Sequence, residues 1–164
     1  RAVRASRVPE LARAAGAHGM VGGQMLDMLA ESQAAGEMSI GAITRLQRLK
    51  TGALISFSCT SGAILGKASE PMRVALAAYA HDLGLAFQIV DDLLDIEGDA
   101  AQLGKTPGKD AAAGKATFVS ILGRERARAQ ANLLAHQAQQ HLEPFGEAAD
   151  LLKQAAEFVV ARRA

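Results

Sequence analysis

The sequence of 164 residues has no tryptophan, a single cysteine and few aromatic residues, which make up 4% of the chain. Cys59 cannot form an intrachain disulfide, and because it lies in an uncharged stretch we expect a small buried hydrophobe there rather than a nucleophile. Strict alternation of apolar and polar residues is also missing, so no β-strand is predicted. These absences exclude a disulfide-stapled scaffold and a β-sheet protein.

The chain also lacks a charge imbalance and a long apolar run. Its 18 Lys and Arg and 17 Asp and Glu leave a net charge of +1, with no one-sign run that would bind nucleic acid or an anionic membrane. Residues 51–66 carry no charge, but they are too few and too rich in hydroxyl groups for a membrane span, so we expect a buried core helix. We expect a cytoplasmic protein that binds small molecules or other protein chains.

What is present is apolar and helical. Hydrophobic residues make up 49% of the chain, and this content suits one all-α domain. Periodicity and capping residues predict five helices, at residues 9–30, 39–65, 69–94, 115–143 and 147–163. Pro9 suits a first helical turn and Ser39 an N-cap. Residues 99–114, which are rich in Gly, Ala and Lys, predict a loop.

Three aspartates crowd the end of the third predicted helix, in the pentad DDLLD at residues 91–95. At about 100° per residue, Gln88, Asp91, Asp92 and Asp95 fall within one arc of roughly 100°, and an apolar stripe on the other side predicts that this acidic face is open to a ligand. Like charges so spaced repel by about 0.2–0.5 kcal/mol per pair, and a last helical turn disfavours anions. Two interpretations stay open: a Mg²⁺ site, or a solvated acidic helix end.

Lysines preceded by glycine follow the aspartates, at Lys105, Lys109 and Lys115. The spacing from Gly98 to Gly104 is one residue too long for a Walker loop, which also follows a strand rather than a helix. A loop with three such lysines can neutralise phosphate oxygens, and ordinary solvated lysines are the alternative.

Two shorter patterns place polar groups beside apolar helices. GMVGGQMLD, at residues 19–27, brings Gln24 and Asp27 onto one helical face, although core packing explains it nearly as well. Lys50 and Thr51 precede the uncharged helix and would place a cation and a hydroxyl at the edge of an apolar cavity, unless the lysine is merely solvated. The four histidines have no paired zinc-ligand spacing.

Taken together, residues 19–27, 50–52, 84–95, 103–105 and 114–118 resemble the C-terminal half of the trans-isoprenyl diphosphate synthases, and most of all the short-chain bacterial farnesyl diphosphate synthases. The resemblance implies a partial isoprenoid synthase-type helical bundle. Residues 1–164 would then be the C-terminal part of one synthase domain. It also implies a prenyltransferase that condenses isopentenyl diphosphate with an allylic diphosphate through ionisation, condensation and proton loss.

The same resemblance implies roles for the polar residues. Asp91, with help from Asp92 and Asp95, would hold Mg²⁺ on the allylic diphosphate, and Lys105 and Lys115 would bind that diphosphate. A further set would stabilise the leaving group and the developing allylic cation, namely Lys50, Thr51 and Gln88. Charge neutralisation of this kind suits departure of a diphosphate better than a protein nucleophile does.

The departure from that family is large, because its first aspartate-rich motif and its upstream basic residues are missing. The first residue is Arg1, so we expect the chain to begin inside a longer protein, and we expect the isolated segment not to turn over. A homodimer or a retained N-terminal fragment would cover the exposed apolar faces. Two alternatives stay open: a catalytically silent helical subunit of a complete synthase, and a relative of the terpene cyclases.

Overall fold

The computed structural model describes residues 2–31, 38–97 and 117–162. In chain order the helices are α1 (Ala2–Ala15), α2 (Met20–Glu31), α3 (Ile40–Gln47), a π-helical turn (Arg48–Gly52), α4 (Ala53–Leu65), α5 (Glu70–Glu97), α6 (Phe118–Leu122), α7 (Arg124–His141), a 3₁₀ segment (Glu143–Ala149) and α8 (Asp150–Ala161). These residues include no strand, and the predicted all-α class is confirmed. In this part of the chain no helix has both the length and the apolarity needed to cross a bilayer.

The long helix α5 forms the centre of the bundle. It contributes Ala86, Ile89, Val90 and Leu93 to a core cluster whose other buried members come mainly from α6 and α7. Alanines at 0% exposure, including Ala86 on α5 and Ala127 and Ala131 on α7, allow the two helices to lie close together.

A second cluster lies at the other end of α5, around Tyr79. This ring is 1% exposed, and its hydroxyl donates to the carbonyl oxygen of Leu152 at 2.9 Å. Burial raises the pKa of Tyr79 to about 12. Cys59 packs against the same cluster, half-buried, and burial raises the pKa of its thiol. The sequence predicted a buried hydrophobe at this position, and the residue is only partly buried; that it is not a nucleophile stays a prediction.

The first predicted helix, at residues 9–30, is wrong in two respects. The helix begins at Ala2, so Pro9 lies in its interior rather than in its first turn. The chain also leaves helical geometry between Ala15 and Met20, giving two helices instead of one. Glycine is a poor helix former, by about 1 kcal/mol per residue relative to alanine, and Gly16 and Gly19 lie in this break.

The helix predicted from Ser39 to Leu65 is confirmed in extent. Ser39 is its N-cap, because its hydroxyl accepts from the backbone N–H of Ala42 at 3.2 Å. The π-helical turn in its middle was not predicted. The expectation of a buried core helix is also wrong, since Ala63 is the only buried residue of α4.

The helix predicted at residues 115–143 is divided in two by Gly123. Its φ of 79° lies in the left-handed region, so α6 ends there and α7 begins at the next residue. Gly146, with φ of 58°, makes a similar bend in the 3₁₀ segment before α8. The predicted boundary near residues 144–146 is therefore confirmed.

Candidate functional site

Lys50 and Thr51 occupy the π-helical turn, which lies between α2 and α5. Both neighbours approach it through glycine. A Cβ added to Gly23 of α2 would lie 2.3 Å from the backbone nitrogen of Lys50, and one added to Gly84 of α5 would lie 3.4 Å from the Cα of Gly52. The glycines thus bring three backbones together at the residues that carry the polar groups.

The Lys50 ammonium forms an ion pair with the carboxylate of Asp27 on α2. The Asp27 side chain is 3% exposed, whereas that of Lys50 is 32% exposed. The lysine therefore contacts a buried carboxylate and is also accessible from the exposed side of the site. Asp27 belongs to the motif at residues 19–27 but was not predicted as a site residue. The signal for it in the sequence was a charged residue on the same helical face as Gln24 in an otherwise apolar helix.

A chain of hydrogen bonds runs from the π-helical turn across α5 to α6. The Thr51 hydroxyl donates to Oε1 of Gln88 at 3.1 Å, and Nε2 of Gln88 donates to Oδ1 of Asp92 at 3.2 Å. The other oxygen of Asp92, Oδ2, accepts from the backbone N–H of Phe118 at 3.1 Å. Gln88, which the sequence placed on one helical face with Asp92, thus links that aspartate to Thr51.

The three aspartates of the pentad at residues 91–95 do not share one environment. The Asp91 side chain is 45% exposed, but Asp92 and Asp95 are 4% and 3% exposed. The prediction of an acidic face open to a ligand is therefore wrong for two of its three carboxylates. The reason for Asp92 is tertiary, because the start of α6 packs onto it.

Within residues 2–31, 38–97 and 117–162, no three His, Cys, Asp or Glu side chains are grouped closely enough to hold a metal ion. A three-carboxylate cage is not required for Mg²⁺, which commonly takes one or two carboxylates together with phosphate oxygens and water. The half-exposed carboxylate of Asp91 fits that set of ligands.

Arg162 is a member of the site that sequence reasoning missed. Its Nη2 donates to the carbonyl oxygen of Phe87 at 3.0 Å, and its guanidinium carbon lies 4.1 Å from the centre of the Phe87 ring. The same Nη2 lies 3.8 Å from Oδ1 of Asp91. Burial lowers the pKa of Arg162, and the charge of Asp91 opposes that shift. The signal for it in the sequence was the pair Arg162 and Arg163, which comes directly after the apolar residues at the end of the last helix.

Lys105 and Lys115, predicted to bind a diphosphate, lie outside the described residues, as does Lys109. Their roles stay predictions.

The assembled side chains combine hard oxygen ligands with a lysine and a hydroxyl–amide chain beside an all-α core. This arrangement can bind a metal and an anionic oxygen group and can offer oxygen lone pairs to a positive centre. The all-α fold and these side chains agree with the isoprenoid synthase class that the motifs resembled. The chain belongs to the polyprenyl synthetase family, whose model matches residues 7–157, and the resemblance drawn from the motifs is confirmed.

Relatives of established name agree with this assignment. The farnesyl diphosphate synthase of Escherichia coli K12 is 43% identical over 145 residues, which are 88% of this chain and 48% of that protein. The solved FPP/GFPP synthase of Zymomonas mobilis matches with a TM-score of 0.83 and 47% identity over 96% of this chain and 51% of its own. A geranyltransferase of Helicobacter pylori, solved with magnesium and isoprenyl diphosphate, matches with a TM-score of 0.77 and 29% identity over 96% and 51%. The predicted isoprenoid synthase-type bundle is confirmed, and the chain spans about half the length of these relatives.

Proposed function

We propose that this chain is the C-terminal part of a Mg²⁺-dependent trans-prenyltransferase that condenses isopentenyl diphosphate with an allylic diphosphate to give geranyl or farnesyl diphosphate. The observation that supports this best is the contact of Thr51 with Gln88 beside the aspartates of α5. Relatives named as prenyl diphosphate synthases share the arrangement of the chain over most of its length.

In this proposal the aspartate-rich end of α5 binds the metal, with Asp91 as the accessible carboxylate and Asp92 and Asp95 behind it. When bound, Mg²⁺ would supply positive charge that neutralises the diphosphate as it leaves. Lys105 and Lys115 would contact the same diphosphate oxygens as point charges. Asp91 would carry the largest loss of metal affinity on substitution, because it alone of the three is half-exposed.

The second set of residues acts at the carbon centre. The C–O bond of the allylic diphosphate would break with its electron pair leaving on the diphosphate. Lys50 would offer its ammonium to that oxygen, since its side chain is 32% exposed beyond its contact with Asp27. Thr51 and Gln88 would face the developing allylic cation with oxygen lone pairs. The double bond of isopentenyl diphosphate would then attack, and a proton would be lost.

Association with further protein is part of the same proposal. Three residues on one outer face of α2 are more than half exposed, namely Val21 at 54%, Met25 at 57% and Met28 at 58%. We propose that an N-terminal part of the domain, or a second copy, covers this face, and that the chain by itself does not turn over. A homodimeric state and a cytoplasmic location stay predictions.

The first test is calorimetric titration of the 164-residue chain with inorganic diphosphate, with and without Mg²⁺. We expect binding only with the metal, and a loss of about tenfold or more in Asp91→Asn, because one metal-bound oxygen is replaced by a poor ligand. Asp150→Asn, at an exposed aspartate on α8, is the matched control and should bind as wild type does. Metal-independent binding, or equal loss in both variants, would refute the metal assignment.

A second test separates the proposed enzyme from a catalytically silent subunit. The chain is mixed with a separately produced N-terminal half of a relative, and prenyl transfer from dimethylallyl diphosphate is measured. Activity that appears only in the mixture and disappears with Asp91→Asn supports the enzyme. A mixed complex that forms but stays inactive, with no effect of Asp91→Asn on diphosphate binding, supports the silent subunit.

A further inference from the structure

We propose that Asp92 is a positioning residue. It determines which group donates and which accepts along the hydrogen-bond chain from Phe118 to Thr51. It thereby determines whether the Thr51 hydroxyl turns its proton or its lone pairs towards the site. The hydrogen-bond chain is a property of the fold. Its consequence for a developing positive charge rests on the proposed function.

The argument begins with the acceptors of Asp92. An ionised carboxylate only accepts hydrogen bonds, and each oxygen of Asp92 has a donor: Nε2 of Gln88 at 3.2 Å and the backbone N–H of Phe118 at 3.1 Å. With the residue 4% exposed, water competes little for these oxygens. Asp92 is therefore surrounded by protein groups that include these two donors, whereas Asp91 on the same turn is 45% exposed at its side chain.

The next step concerns the amide of Gln88, whose oxygen and nitrogen have nearly the same shape, so that its orientation is set by its partners. An ionised Asp92 cannot donate, so the NH₂ group of Gln88 must face it, and the amide oxygen must face Thr51. The observed contact between Oε1 of Gln88 and Oγ1 of Thr51 is the one that this reasoning requires.

The last step concerns Thr51. Since Gln88 presents an oxygen, the Thr51 hydroxyl uses its one proton to donate to it at 3.1 Å. The hydroxyl then has only lone pairs left for a ligand, and lone pairs favour a positive centre. If Gln88 were turned over, its NH₂ group would donate to Thr51. The Thr51 proton would then be free to point at the ligand, where it would disfavour a positive centre.

Asp92→Asn distinguishes this role from both a metal-ligand role and a merely structural one, because it preserves the shape of the side chain. Its oxygen can accept from Phe118, and its new NH₂ group can donate to Oε1 of Gln88 if that amide turns over. The other orientation would direct the new NH₂ group at the Phe118 N–H, and buried donors without acceptors are strongly disfavoured. We therefore expect this variant to retain the contact with α6 and to reverse the direction of the chain at Gln88 and Thr51.

The first readout is nuclear magnetic resonance on the full 164-residue chain, which needs no ligand. In the wild type we expect a scalar coupling across the hydrogen bond from Nε2 of Gln88 to the carboxyl carbon of Asp92, and slow hydrogen exchange at the Phe118 amide. Asp92→Asn should lose the coupling but retain slow exchange, whereas Asp92→Ala should lose both. Absence of the coupling in the wild type, or its persistence in Asp92→Asn, overturns the proposal.

The second readout compares two probes with Mg²⁺ present: inorganic diphosphate, and a diphosphate ester with an ammonium nitrogen near its first carbon. Asp92→Asn should lose about tenfold in affinity for the ammonium probe relative to inorganic diphosphate, while Asp91→Asn should weaken both probes alike. If Asp92→Asn also weakens both alike, Asp92 is a metal ligand and the positioning role is refuted. If the wild type binds neither probe, the proposed function fails, and the resonance experiment still decides the direction of the chain.

Discussion

Gly23→Ala provides a sharp test of how the site is assembled, because this glycine is where α2 crosses the π-helical turn. The new methyl group would lie 2.3 Å from the backbone nitrogen of Lys50, 2.6 Å from its Cα and 2.9 Å from the carbonyl carbon of Leu49. None of these atoms belongs to a flexible side-chain end. Ordinary carbon contacts need about 3.5–4.0 Å, so the two backbones must separate by roughly 1 Å.

The magnitude follows from two opposing effects. Alanine is a better helix former than glycine by about 1 kcal/mol, which favours the variant. Overpacking of a tight contact typically costs about 1–3 kcal/mol, and separating the backbones also disturbs the contact between Lys50 and the buried Asp27. We expect Gly23→Ala to lower the free energy of unfolding by about 1–2 kcal/mol, and to weaken Mg²⁺-dependent diphosphate binding by displacing Lys50.

The assay is urea unfolding followed by circular dichroism, with Gly62→Ala as the matched control. Gly62 lies in α4, and no atom of the described residues approaches within 4 Å of the place where its Cβ would be. The same substitution should therefore stabilise the protein at that position, by up to about 1 kcal/mol. Equal effects at the two glycines would refute the reasoning, because they would mean that helix propensity, and not the close approach of the backbones, decides the outcome.

Three further predictions concern other contacts. Burial raises the pKa of Tyr79 to about 12, whereas in the unfolded state this hydroxyl has its ordinary pKa near 10 and loses its proton first. The free energy of unfolding should therefore fall as pH rises from about 10 to 12, and Tyr79→Phe should remove that slope. Arg162→Ala should destabilise by about 1–2 kcal/mol, since it removes both the hydrogen bond to the Phe87 carbonyl and the stacking on its ring, as measured by thermal unfolding. Lys50→Met should destabilise because it removes a positive partner of the buried Asp27, and a double-mutant cycle with Asp27→Leu should recover part of the loss.

Each has its own control. For the arginine, Arg73→Ala removes a hydrogen bond to the carbonyl oxygen of Ala68 but no stacking on a ring, from a side chain 45% exposed. It should cost less than Arg162→Ala does, and an equal loss would mean that the stacking on Phe87 adds nothing. An unchanged alkaline slope in Tyr79→Phe would assign the titration to other groups. Additive effects of Lys50→Met and Asp27→Leu would mean that the two side chains are not energetically coupled.

The parts of the fold that sequence predicted were those set by local chemistry. Ser39 caps a helix because its own hydroxyl accepts a nearby N–H, and the helix that starts at Glu70 contains its first-turn acid and proline within two residues. Lys50, Thr51 and Gln88 were also singled out from sequence. Helical periodicity selected Gln88, and the resemblance to a family supplied the roles of all three, which stay predictions.

The parts that sequence did not predict depend on contacts between distant segments. Asp92 is buried because the start of α6 packs onto it, 26 residues further along the chain. Arg162 reaches Phe87 across 75 residues, and no local pattern encodes that distance. The left-handed φ of Gly123 is a local feature, but it was masked by the helical periodicity on both sides.

The π-helical turn has a consequence for how this part of the chain tolerates changes in length. A π turn holds more residues than an α-helical turn does, so the additional residue in Arg48–Gly52 is absorbed in one wide turn. The helices on either side thus keep nearly the same phase, with Ile43 and Leu46 in the core before the turn and Thr51 in contact with Gln88. Deleting one residue from this turn would restore regular α-helix with little rotation of one side relative to the other. A deletion from the regular helix α4 would instead rotate everything after it by about 100° relative to everything before it, and should therefore be the more harmful of the two.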